Sequence, residues 1–205
     1  MTQWYIWIDE AGRWAWAGPV VAALVFWSWR CPIRWILRDS KKMSPSERGK
    51  TYQHILELEK KKKLFFAVWI ISNEIIDAVG IREANRLAMR QALQQIQSIG
   101  HKIQYEGARL FIDGRDNYQF DIPDLPKPEY IVRGDAKIKQ IMAASIIAKV
   151  TRDHLMCEYE KEFPGYGFAQ HKGYGTQWHQ TSLQKLGVCE IHRKSYKPIQ
   201  EISQK

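Results

Sequence analysis

A single α/β domain, a mixed sheet flanked by helices, is what this sequence predicts, and three observations predict it. The chain has 205 residues, 45% hydrophobic and 26% charged. That is enough for one compact core and far from the composition of disordered chains. Apolar, β-prone runs come early. Later segments turn to helical spacing, so strands come first and helices interleave with them.

The elements follow in order. Residues 4–8 (WYIWI) read as a strand that stops at Asp9, Glu10, Ala11 and Gly12, and residues 20–27 (VVAALVFW) as a second, buried one. Ser44, Pro45 and Glu47 occupy the N-cap, first and third positions of a helix that runs through Leu58. It ends in Lys60, Lys61, Lys62 and Lys63, a solvated helix end favoured by the helix dipole. Residues 64–71 form a third strand. Ala84, Ala88, Ala92 and Ile96, beside Met89 and Leu93, make one apolar face of a helix over about 82–98. A short strand at 109–112 halts at Asp113 and Gly114. Pro123, Pro126 and Pro128 make 117–129 a loop. Another short strand, 130–132, ends at Gly134 and Asp135. A long helix runs from Lys139 to about Phe163, and a shorter one follows Thr176. Residues 1–190 read as the main domain, and 191–205 as a basic tail forming a small helical appendage.

Composition narrows the function classes. No apolar run reaches the roughly 18 residues of a membrane span. The start, MTQWYIWIDEAGR, lacks a basic n-region and has two carboxylates where a signal peptide needs its apolar stretch. The expectation is a soluble, cytoplasmic protein, a monomer without a membrane partner. Cys31, Cys157 and Cys189 are widely spaced and show no CxxC, which fits reduced thiols and neither a disulfide frame nor a zinc site. With 31 Lys+Arg against 22 Asp+Glu, the net charge of +9 points to a polyanionic partner, nucleic acid first.

Asp9, Glu10, Asp113 and Asp135 share a setting: each follows a strand-like run and precedes a glycine-containing turn or a helix. Carboxylates gathered at neighbouring strand ends raise one another's pKa, so such a cluster calls for a cation. Oxygen-only ligands suit Mg²⁺ or Mn²⁺, which complete their shell with water and substrate phosphate. Two such ions can activate a water and stabilise the leaving oxygen of an in-line phosphoryl displacement. Any one of these Asp residues could equally cap a turn or helix.

The segments IDEAGR, AGPVVAA, DSKKMS, FIDG, GDAK, AASIIAKVTRDHLM and PGYGFAQHKGYGT, in that order, resemble ribonuclease HII. The resemblance runs from Ile8 to about Pro198. It implies a ribonuclease-H-like fold and endonucleolytic cutting of the RNA strand in RNA–DNA hybrids. It also implies incision 5′ of single ribonucleotides in duplex DNA, with 3′-hydroxyl and 5′-phosphate ends. Asp9, Glu10, Asp113 and Asp135 match the family's four metal-holding, catalytic carboxylates, two ions being expected. Asp153 matches its TRD, where it either assists the second ion or is a helix surface charge. The segment between Asp113 and Asp135 is longer than is common in the family.

The resemblance also implies that Gly12, Arg13 and Trp14 lie in the loop that reads the ribose. Backbone groups there can bond the 2′-hydroxyl, which alone marks a ribonucleotide. Tyr174 would lay its ring against the next sugar, where a 2′-hydroxyl would clash. Glycines on either side argue for an exposed turn there and against a core aromatic. Arg13, Lys41, Lys42, Lys149 and Lys172 are candidate phosphate contacts. His171, His179 and His192 are expected to be packed or solvated, not general bases. The rival readings are a hybrid-binding module that has lost turnover and a different nuclease on the same fold. The full carboxylate set speaks against the first, and HKGYGT against the second.

Nine tryptophans are many for this length. Trp7, Trp14, Trp35 and Trp69 stand where ribonuclease HII typically has glycine, the least interchangeable partner of tryptophan. One cause would cover all four: a gene that reads UGA as glycine, translated with UGA as tryptophan. Trp178 is a further candidate. The alternative is a divergent enzyme with true tryptophans and, at Trp14, an indole where the ribose should approach.

Overall fold

The second strand is apolar without interruption because both of its faces are covered. In the computed structural model, which describes residues 4–28, 43–99, 107–134 and 138–204, it runs Val20–Ser28 (β2). Its even positions, Val20, Ala22, Leu24 and Phe26, pack into one core, and its odd ones, Val21, Ala23, Val25 and Trp27, into another. The period-2 alternation of a strand thus feeds two apolar layers at once.

β2 lies antiparallel to β1 (Trp4–Ala11) on one side and to β3 (Phe65–Ile71) on the other. β4 (Arg109–Asp113) and β5 (Pro128–Ile131) add in parallel beyond β1, giving the mixed order β3-β2-β1-β4-β5. β5 starts at Pro128, inside the expected loop. It is an edge strand, where the missing N–H of a proline can face solvent.

On one face packs α3 (Ile81–Ile99), through Ala84, Ala88, Met89, Ala92, Leu93 and Ile96. It is preceded by a short α2 (Asn73–Val79) that the sequence reading missed. On the other lie α1 (Pro45–Lys60) and α4 (Lys139–Glu162). The capping box of α1 is as expected: Ser44 N–H donates to Glu47 Oε2 at 2.8 Å, and Glu47 N–H to Ser44 Oγ at 3.2 Å. A third apolar cluster joins Ala17 and Met156 to α5 (Phe168–His171), α6 (Gln177–Leu186), Ile191 and α7 (Lys197–Ser203). Residues from 191 onward are therefore packed against the body of the protein, with His192 and Arg193 fully buried. No helix among the described residues is long and apolar enough to cross a membrane.

Candidate active site

Strand register brings the first carboxylates together. β1 and β4 run parallel with Ile8 opposite Ile112, so Asp9 and Asp113 are the next residues along neighbouring strands. Ile6, Ile8 and Ile112 face α3, whereas Trp7 and Phe111 face the other way. By alternation Asp9 and Asp113 share the α4 face and Glu10 turns toward α3. The partners agree: Ser145, on α4, hydrogen-bonds Asp9, and Asn85, on α3, hydrogen-bonds Glu10. The DE pair therefore straddles the sheet edge, anchored once on each helical layer.

Asp9 is only 5% exposed. Burial first, then the charges of Glu10 and Asp113, push its carboxyl well above the usual carboxylate range. Burial likewise pushes Glu10 up to about 7, against the opposing pull of Arg13 and Asn85. Asp113 Oδ1 accepts Gly134 N–H at 2.7 Å. Crowded, desolvated carboxylates with an oxygen-only donor set are what a hard divalent cation neutralises. Among the described residues no three His, Cys, Asp or Glu side chains are placed to enclose an ion by themselves. The fourth expected ligand, Asp135, lies outside the described residues, as do Lys41, Lys42 and Trp35.

These carboxylates open into a cleft of about 530 Å³, also lined by Gly12, Arg13, Trp14, Arg48, Ser145, Lys149 and Tyr174. A larger depression, about 640 Å³, lies between α3 and residues 117–121. Among the expected site residues, none lines it. The loop over the cleft, residues 12–19, is held by two buried arginines. Arg152 donates to the carbonyls of Pro19 (2.9 Å), Lys172 (2.8 Å) and Ala17 (3.0 Å). Arg193 donates to those of Gly12 (2.7 Å), Gly18 (3.0 Å), Arg13 (3.1 Å) and Pro19 (3.1 Å), and to Tyr196 Oη (2.9 Å). Gly12 must be glycine. Its φ is +90°, and a Cβ there would sit 2.0 Å from Arg152 Nε.

A ribonuclease HII family model matches residues 6–199. The chain belongs to the ribonuclease HII family. Membership makes it an enzyme, a metal-dependent ribonuclease H endonuclease. The fold agrees with solved structures of the group. The ribonuclease H2 of Pyrococcus horikoshii OT3 superposes with a TM-score of 0.77 at 23% identity, covering 98% of this chain and 97% of that one. The ribonuclease HII in a PCNA complex from Archaeoglobus fulgidus gives 0.73 at 23%, with the same coverage. Bst-RNase HIII, solved with Mn²⁺, gives 0.72 at 16%, covering 98% of this chain and 69% of that one.

The other expected site residues of this ribonuclease HII, the substrate contacts and the possible metal residue Asp153, fall into two groups here. Arg13, Trp14, Lys149 and Tyr174 line the carboxylate cleft. Asp153 and Lys172 instead line an adjoining cavity of about 430 Å³, which shares Arg48 and Lys149 with the cleft. Asp153 is ion-paired with Lys149 at 2.6 Å and lies 3.9 Å from Arg48. Lys172 Nζ donates to Ala169 O at 2.6 Å. Arg13 pairs with Asp116 and lies 3.9 Å from Glu10.

Tyr174 is half-buried, not the exposed turn expected. Its ring has Arg152 5.3 Å and Lys149 5.7 Å from the centroid. The glycines beside it serve close approach: a Cβ on Gly173 would lie 2.5 Å from Ala17 O, and one on Gly175 2.2 Å from the Trp16 ring. His171, His179 and His192 are buried outside the cleft. Sequence reading missed Ser145, Asn85, Asp116, Arg152 and Arg193. For Arg152 there was a signal. It falls in step with Ala144, Ala148 and Met156, a four-residue stripe of buried positions, so its guanidinium had to be buried too.

Proposed function

We propose that this enzyme cuts the RNA strand of RNA–DNA hybrids and incises 5′ of ribonucleotides embedded in duplex DNA, in the service of DNA replication and repair in the cytoplasm. The placement of Asp9 beside Asp113, at a cleft that also contains the 12–14 loop and Tyr174, carries the reading. Asp9, Glu10, Asp113 and Asp135 would hold two Mg²⁺ or Mn²⁺ ions. Bound there, they would supply an activated water and stabilisation of the departing 3′-oxygen. The chain's own groups do the rest. The Asp9 and Asp113 carboxylates would hold the ions at the sheet edge, which sets where the scissile phosphate lies. The backbone at 12–14, clamped by Arg193, meets the 2′-hydroxyl. Lys149 neutralises phosphate, and the Tyr174 ring lies on the neighbouring deoxyribose, leaving no room for a hydroxyl. A labelled duplex with one ribonucleotide, incubated with Mg²⁺, Mn²⁺ or EDTA, tests this. Incision 5′ of the ribonucleotide with either ion and none in EDTA is expected. Metal-independent cutting would refute the ligand set. Tyr174→Ala should lower incision at the lone ribonucleotide more than cleavage of a continuous hybrid. Equal losses would assign the ring to general structure.

Trp14 bears on the same cleft. Its side chain is 74% exposed beside Arg13, whose guanidinium carbon lies 5.4 Å from the indole centroid. In that position the indole competes with the ribose for the mouth of the cleft. Trp14→Gly is therefore expected to raise single-ribonucleotide incision with little change in melting temperature, since almost no buried contact is lost. A variant no faster than its parent would refute the claim that the indole obstructs the cleft. Trp7 is different: it stacks on Phe111 at 4.2 Å and buries an Nε1 that has no hydrogen-bond partner among the described residues. UGG codons at Trp7, Trp14, Trp35 and Trp69 would end the recoding reading, and UGA codons would establish it.

A further inference from the structure

Behind Tyr174 lies a chain of hydrogen bonds with only one self-consistent direction. His179 Nδ1 is 3.0 Å from the Tyr174 carbonyl, which can only accept, so that nitrogen carries the proton. In a neutral imidazole the other nitrogen is then bare. His179 Nε2 lies 3.0 Å from His192 Nε2, which must therefore be the donor. This leaves His192 Nδ1 bare, and there it accepts Cys189 N–H at 3.0 Å. In this assignment its 3.3 Å approach to the Cys189 carbonyl is no hydrogen bond. A second imidazole works alongside. His171 Nε2 donates to Tyr166 O at 2.8 Å, and its bare Nδ1 accepts Gly173 N–H at 3.2 Å. The rings of His171 and His179 stack with centroids 4.4 Å apart. The residue before Tyr174 and the carbonyl of Tyr174 itself are thus both set by neutral imidazoles.

We infer that His179 and His192 are positioning residues for Tyr174, a one-way relay that fixes the backbone carrying the ring and so sets the enzyme's discrimination at the junction sugar. The inference rests on the proposed function only for what Tyr174 reads. The relay is sealed: Trp16 packs 5.7 Å from His179, and Phe168 lies 5.6 Å from both His179 and His192. A proton added to either imidazole would set two N–H groups head to head. The titratable groups facing the pair are His171, Cys189 and Tyr166. Glu160 and Lys172 act on His171, and Glu190 on Cys189. Burial pushes His179 down to about 3 and His192 down to about 4, so both stay neutral where the enzyme works. An unfolded histidine takes its proton near about pH 6.5. The pair's contribution to stability is therefore complete above that pH and is lost as pH falls toward 4.

The test compares incision at a lone ribonucleotide with cleavage of a continuous hybrid, for the full chain with Mg²⁺. His179→Phe, which fills the space but donates nothing, should lower that ratio by about two- to tenfold, the worth of one neutral hydrogen bond. His179→Asn, whose amide can replace the Nδ1 donor, should restore most of it. His192→Phe should fall between. If folded His179→Phe keeps the parental ratio while Tyr174→Ala loses it, the relay is refuted and the reading of Tyr174 stands. If Tyr174→Ala also keeps the ratio, it is the reading of Tyr174 that fails. Nitrogen chemical shifts of the unaltered protein give a check that needs no variant. Protonated Nδ1 on His179 with protonated Nε2 on His192 is expected, and the opposite tautomers would overturn the relay.

Discussion

Asp9→Asn and Asp113→Asn are expected to abolish cleavage of both substrates while leaving hybrid binding nearly unchanged. The replacement keeps size and removes the charge that an ion needs, so the loss should be at least the ~10²–10³-fold seen when one group facing charge at a reacting centre is deleted. Binding survives because phosphate contacts supply most affinity for nucleic acid, and these come from Lys and Arg elsewhere in the cleft. Stability should move the other way. Asp9 is buried and repelled by Glu10 and Asp113, so without metal the neutral amide removes a strain. Asp9→Asn without metal should melt no lower than its parent, and added Mg²⁺ or Mn²⁺ should raise the melting temperature of the parent alone. Near-normal turnover in Asp113→Asn would sink the two-ion assignment.

The largest loss of stability is expected at Arg193. Its guanidinium has five N–H groups, and all five are used on the carbonyls of Gly12, Arg13, Gly18 and Pro19 and on Tyr196 Oη. Arg193→Ala removes all five bonds at once, leaving the Gly18 carbonyl without its Arg193 donor and Pro19, Arg13 and Gly12 with only their second donors from Arg152, Tyr196 and Ala15. A cost of about 3–5 kcal/mol is expected, the scale for breaking a buried charged network, out of the ~5–15 kcal/mol that holds a typical domain. Arg193→Lys should recover only a small part, because an ammonium cannot present five donors in a fork. Urea midpoints measure this directly. An unchanged midpoint for Arg193→Ala would show that the loop holds itself.

The contrast between these two positions explains what could be read from the sequence. Asp9 announces itself locally: an apolar strand, two carboxylates, a glycine. The same holds for β2, whose uninterrupted apolar run gives away a strand covered on both faces, and for the capping box at Ser44. The meeting of Asp9 with Asp113 is not local. It depends on a parallel register between strands about a hundred residues apart, and no spacing rule encodes that. Arg193 is harder still. In a basic tail it looks like one more solvated cation, and only the folded chain reveals that its partners are carbonyls near the other end. The sequence leaves the histidines as packed or solvated, and the fold packs all three. Their direction as donors and acceptors exists only in three dimensions. Short α2 and the early start of β5 were missed because seven and four residues give periodicity too little to work with.

The bond from Arg193 to Gly12 closes over 181 residues of chain, and that separation has a meaning in time. β1 and β2 are neighbours in sequence and can pair soon after synthesis. β4 can dock on them once residue 113 is free. The carboxylate edge can therefore be assembled on a growing chain, but the Gly12 and Arg13 carbonyls, in the loop proposed to read the sugar, lack their clamp until Arg193 emerges. From Asp113 to Arg193, at ordinary rates of about 5–20 residues per second, that interval is roughly 4–16 s. During it the nascent protein carries Asp9 and Asp113 without the clamp on the loop proposed to choose where they act. The loop's anchor is thus also a clock: selectivity is among the last properties the chain acquires.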